Sequence, residues 1–143
     1  MSVLVIAGAG VLLLLGLAHA IYTLQSSPAG GPMAPTDGDV RAAMAVPGAL
    51  GLAPNVETTL WRAWVGFNLS HALGIVAVSL TIAIPALVDF GAALDHTGWL
   101  VLALALPPVY LLISVRYWFR GPTTGICVGI VLIAGGIVGG WLT

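Results

Sequence analysis

Apolar residues gather in four long runs along this chain, separated by stretches in which Gly, Pro, Asp and Thr dominate. A hydrocarbon layer about 30 Å thick is crossed by roughly 20 apolar residues in a helix, and each run reaches that length. The pattern predicts helices over about Val3–Leu24, Thr58–Val88, Gly98–Phe119 and Thr123–Leu142. A polar, Gly/Pro-rich first loop fills residues 25–57, whereas the second and third links are short. Short links make successive helices antiparallel neighbours. The expected fold is all-α, a single four-transmembrane-helix bundle with up-down-up-down order.

Smaller features refine this outline. Thr36-Asp37-Gly38-Asp39 offers helix caps ahead of Val40–Ala45, and Pro47-Gly48 closes the segment. A short helix lying on the membrane surface and an ordered turn within a tether are both compatible with it. Pro54-Asn55-Val56-Glu57 reads as a cap for the second helix, which at about 46 Å is longer than a span needs. Pro85 is expected to bend or end that helix, and Pro107-Pro108 to kink the third. Ala18-His19-Ala20 resembles a signal-peptidase site, but Met1-Ser2-Val3 has no positive n-region, so the first run is read as a transmembrane helix.

Composition supports the membrane reading. Only 6% of the 143 residues are charged and 59% are hydrophobic, whereas soluble domains carry about a quarter of their residues as charges. A water-exposed surface cannot be made from this chain, so a soluble globular domain and a disordered segment are both excluded. Net charge is −1 and lysine is absent, so there is no basic face for nucleic acid. The lone Cys127 rules out an intrachain disulfide and reads as an inert thiol.

The four arginines suggest an orientation. Arg41 and Arg62 lie in or beside the first loop and Arg116 and Arg120 flank the third, while the second has Asp89, Asp95 and His96. The first and third loops are expected to face the cytoplasm. Trp61, Trp64, Tyr117 and Trp118 would belt that interface, and Trp99 and Trp141 the other. His96 reads as a solvated turn residue.

Polar groups inside hydrocarbon are costly unless paired, so they carry most of the functional information. Trp61, Trp64, Asn68 and His71 recur at three or four residues and form one stripe on the second helix. His19 and Tyr22 share a face of the first helix, at a depth similar to His71. Tyr110, Ser114 and Arg116 on the third helix, with Thr123 or Thr124 on the fourth, would complete a ring. Two readings stand side by side: a pocket opening toward the cytoplasm, or polar contacts that merely hold helices together. As a pocket, His19, Tyr22, Trp61, Trp64, Asn68, His71, Tyr110 and Arg116 would take a quinone, sterol or lipid, or His19 and His71 would ligate haem b. A divalent metal is the weakest fit, since no carboxylate sits at that depth. Adjacent Ser70 and His71 point in different directions and make a poor nucleophile–base pair. The Asn68-Leu69-Ser70 sequon lies inside a helix, out of reach of glycosylation.

Glycines in the fourth helix give a different alternative. Gly121, Gly125 and Gly129, then Gly135-Gly136 and Gly139-Gly140, form small-residue faces, matched by Gly16 and Ala20 in the first helix. Contact within the bundle is the favoured use. An accessory subunit would instead pack through that helix into a larger membrane complex or homo-oligomer.

The stretch from Glu57 to His71 contains Trp61-Arg62-Ala63-Trp64-Val65-Gly66-Phe67-Asn68-Leu69-Ser70-His71. It resembles a family of small bacterial four-helix membrane proteins sharing a W-R-A-W-x-G-F-N-x-S-H block and a histidine late in the first helix. The resemblance implies a bacterial cytoplasmic-membrane location and singles out Trp61, Arg62, Trp64, Asn68 and His71. It implies no reaction.

Overall fold

The structure, a computed structural model, describes residues 1–48 and 58–143. The expected cap at residues 54–57 lies outside the described residues. Among the described residues six helices follow in order: α1 Ser2–Leu24, α2 Gly38–Met44, α3 Leu60–Val88, α4 Phe90–Asp95, α5 Thr97–Tyr117 and α6 Arg120–Trp141. Four of them, α1, α3, α5 and α6, are long and apolar enough to cross a membrane. At most 28% of the apolar stretch of each is buried within the protein. Phe67, Leu73, Leu112 and Val131 are largely exposed. Such a surface suits acyl chains, not water.

The elements depart from the sequence expectation in the second and third links and at the prolines. The second link contains a helix, α4, started by the Asp89 carboxylate, which accepts from Ala92 N–H at 3.0 Å. His96 is more than a solvated turn residue. It closes α4 and caps α5, its Nδ1 accepting from Trp99 N–H at 3.1 Å. The last helix begins at Arg120, three residues before Thr123, because Pro122 falls in the first turn, where a missing N–H costs nothing. Correspondingly α5 ends at Tyr117 and leaves Trp118-Phe119 as the link. Pro85 ends nothing: α3 continues to Val88, and α5 runs unbroken through Pro107 and Pro108.

By internal contact the chain groups into two compact units, and α1 and α3 contribute a half each to both. The first unit comprises Met1–Leu15 and Gly74–Thr143. Its core is Val5, Ala9 and Leu12 of α1, Ile82 and Ala86 of α3, Ala93 of α4, Trp99 and Ala103 of α5, and Ile126, Ile133 and Ile137 of α6. On α1, α3, α5 and α6 these positions recur at helical spacing, so each offers one stripe to the core. Trp99 is satisfied within it, donating from Nε1 to the Ile82 carbonyl at 3.3 Å.

Here α1 lies directly on α6. A Cβ on Gly8 would stand 2.7 Å from the Gly129 carbonyl oxygen, and one on Gly136 would stand 2.6 Å from Val5 Cγ2. Backbones approach this closely only where side chains are missing. Gly125 faces Leu15, Gly139 faces Met1, and Gly140 faces Phe90 and Leu94. Gly125, Gly129, Gly136, Gly139 and Gly140 are therefore used inside the chain, the use favoured from the sequence, whereas Gly135 meets open space.

The second unit, Gly16–Leu73, holds the end of α1, the described part of the first loop, α2 and the start of α3. After α1, Ser26 Oγ donates to the Tyr22 carbonyl at 2.8 Å and accepts from Met33 N–H at 2.9 Å. Gly31 sits at φ 137°, and a Cβ there would strike Ser26 Cα at 2.6 Å. Only glycine fits. The Asp37 carboxylate caps α2, accepting from Asp39 N–H at 2.8 Å. Arg41 gathers the loop by donating to the carbonyls of Pro28, Pro35 and Thr36 at 3.1, 2.7 and 2.8 Å. Gly48 N–H donates to the Thr58 carbonyl, closing the loop against the foot of α3.

Candidate functional site

The site is a cluster in the second unit. His19 is carried by the last turns of α1. Four residues on, the fully buried Thr23 donates its hydroxyl to the His19 carbonyl at 2.8 Å. On α3, Trp64, Asn68 and His71 fall at intervals of four and three and share a face. The structure thus brings together the residues that the stripe singled out.

His19 Nε2 lies 3.0 Å from Asn68 Oδ1, and Asn68 Nδ2 donates to the Trp64 carbonyl at 2.8 Å. The second bond settles the direction of the first. Turning the amide over would set Oδ1 against a carbonyl oxygen, so Oδ1 faces the imidazole. An amide oxygen only accepts, and therefore His19 Nε2 carries a proton. In the neutral ring, Nδ1 is then the acceptor nitrogen. The His71 ring stands edge to face with His19, centroids 5.4 Å apart at 75°. Trp61, buried, and Trp64, half-buried, stack at 5.2 Å on the turns before Asn68. The arrangement offers two half-buried imidazoles, one with its tautomer fixed, beside an indole pair.

This geometry does not fit bis-histidine haem b. Axial ligation puts a porphyrin between the two imidazoles, whereas these rings touch each other and Nε2 of His19 is engaged with Asn68. Among the described residues no third His, Cys, Asp or Glu joins them in a group able to hold a metal ion.

The other expected site residues are described within their own units. Tyr22 is half-exposed, and its carbonyl serves Ser26. Tyr110 and Arg116 belong to the first unit. Tyr110 packs half-buried on that unit's core, its hydroxyl 3.3 Å from where a Cβ on Gly74 would lie. Arg116 is exposed, with Cζ 5.6 Å above the Tyr117 ring. Ser114 and Thr123 share a hydroxyl–hydroxyl hydrogen bond between α5 and α6. Sequence reasoning missed Thr23, whose signal is its place one turn beyond His19.

Comparison with family models, with characterised proteins and with solved structures finds no match to this chain.

Proposed function

We propose that this is an integral membrane protein whose His19–Asn68–His71 cluster, walled by Trp61 and Trp64, binds a lipophilic molecule with a hydrogen-bonding head, of the quinone class. One observation carries the reading: the chain of hydrogen bonds from His19 Nε2 through Asn68 to the Trp64 carbonyl. It commits His19 Nε2 as a donor to Asn68, which makes Nδ1 the acceptor nitrogen of the neutral ring, beside a second imidazole able to give or take a proton. Interhelical bonds that only hold helices together average about 0.6 kcal/mol, and two histidines with an asparagine exceed that need. The helices are proposed to alternate up and down, with the first and third loops cytoplasmic, α2 on the surface and the bacterial cytoplasmic membrane as the site.

The test is co-purification. Protein extracted in mild detergent is analysed for bound quinone by solvent extraction and chromatography. His71→Ala and Asn68→Leu should lose the quinone while circular dichroism stays unchanged. Retention of quinone equal to that of the natural chain in both variants would sink the reading.

An accessory role in a larger complex keeps one supporting observation. Val128, Val131, Gly135 and Val138 form an exposed stripe on α6, and nothing lies within 4 Å of a Cβ built on Gly135. Gly135→Leu is the substitution that would dissociate a partner there. Gly139→Leu would instead strike Met1 within the chain.

A further inference from the structure

At the corner where α5 gives way to α6, an open cavity of about 270 Å³ is lined by Ser114, Val115, Trp118, Phe119, Arg120, Thr123 and Thr124. Both helices are long and apolar enough to cross a membrane, so the residues linking them sit at the depth of lipid headgroups. The lining is amphipathic: Val115, Trp118 and Phe119 supply apolar wall, and Arg120 supplies charge.

Hydroxyl groups here are already engaged as donors. Thr123 donates to the Phe119 carbonyl at 3.1 Å and Thr124 to the Arg120 carbonyl at 2.9 Å, while Ser114 and Thr123 bond each other. What remains to meet a ligand is the exposed guanidinium of Arg120, with exposed Arg116 in the last turn of α5. No Asp or Glu follows Asp95 in the sequence, so this corner is cationic without a carboxylate of its own segment. The Tyr117 face, which could attract a choline or ethanolamine, is already covered by Arg116 at 5.6 Å.

From this cavity and charge we infer that the α5–α6 corner binds the phosphodiester of an anionic phospholipid. Arg120 makes a two-pronged contact to phosphate oxygens, Arg116 reinforces the field, and Val115, Trp118 and Phe119 flank the glycerol and upper acyl chain. The site is independent of the histidine cluster and of any ligand there.

Native mass spectrometry of the full, detergent-solubilised protein tests this with phosphatidylglycerol, phosphatidylcholine and inorganic phosphate as probes. Phosphatidylglycerol should be retained in preference to phosphatidylcholine. Arg120→Gln should weaken its retention about fivefold, and the double variant Arg116→Gln/Arg120→Gln by about twentyfold, as expected for basic groups near a membrane surface. Arg120→Lys, which keeps the charge but not the fork, should fall between the natural chain and Arg120→Gln, and it replaces the glutamine variant if that one misfolds by circular dichroism. Equal retention of the two lipids, or an Arg120→Gln protein that binds like the natural chain, would overturn the proposal. Displacement of lipid by millimolar inorganic phosphate would overturn it too, in favour of a soluble anion.

Discussion

Where Gly8 meets Gly129 and Val5 meets Gly136, α1 and α6 of the first unit are held by close packing at positions that lack side chains. Where His19 meets Asn68 and Arg41 meets three carbonyls, the second unit is held by directed bonds from a few side chains. Shape governs the first, so adding an atom there forces helices apart. Chemistry governs the second, where each bond is individually weak. The histidines belong to the unit whose stability depends least on close packing. The two units should therefore respond to mutation in opposite ways, one losing stability and the other losing function.

The largest effect is expected at Gly8. Its replacement by Ala would place Cβ 2.7 Å from the Gly129 carbonyl and 2.8 Å from Ile133 Cγ1. Overpacking of this kind costs about 3 kcal/mol, at the upper end of its usual range, measurable by denaturant unfolding in detergent. A neutral result would break the comparison at its strongest point. Next comes Arg41→Ala, which removes three bonds from the first loop and should cost about 1–2 kcal/mol. Limited proteolysis should then cut residues 26–48 faster, with the first unit's helices unaffected. Asn68→Leu follows, at about 0.6 to 1.7 kcal/mol, the span found for hydrogen bonds between membrane helices. It should abolish quinone retention all the same, and retained quinone would show that the second unit is built for packing after all. Smallest is Gly135→Ala, which meets open space and should change stability by less than about 1 kcal/mol, in the stabilising direction.

The four long helices were legible because a span of hydrocarbon demands a length that few other structures share. Helix α4 was not, since six residues are too few to show a period; its only signal was Asp89, a capping residue ahead of Phe90-Gly91-Ala92. The start of α6 was misplaced because Gly121-Pro122 looks like a break, and a proline in a first turn is harmless. On α3 the stripe of Trp64, Asn68 and His71 was readable from spacing alone, and His19 from its depth. Tyr22 and Thr23 show where spacing fails. They fall about 60° to one side and 40° to the other of the line through His19, and the fold buries Thr23. Tyr110 and Arg116 were grouped with the histidines by expected depth alone, since a single sequence does not say which helix faces meet.

One habit of the chain bears on how it reaches the membrane. Thr23, Ser26, Ser70, Ser79, Thr81, Thr123 and Thr124 each hand their hydroxyl proton to a carbonyl three or four residues earlier in the same segment. Each segment can thus leave the insertion machinery with these groups already satisfied, before any neighbour has arrived. Only contacts such as His19 with Asn68 must wait for a second helix. For this chain, then, satisfying these hydroxyl groups does not depend on the site, which forms only when a second helix arrives.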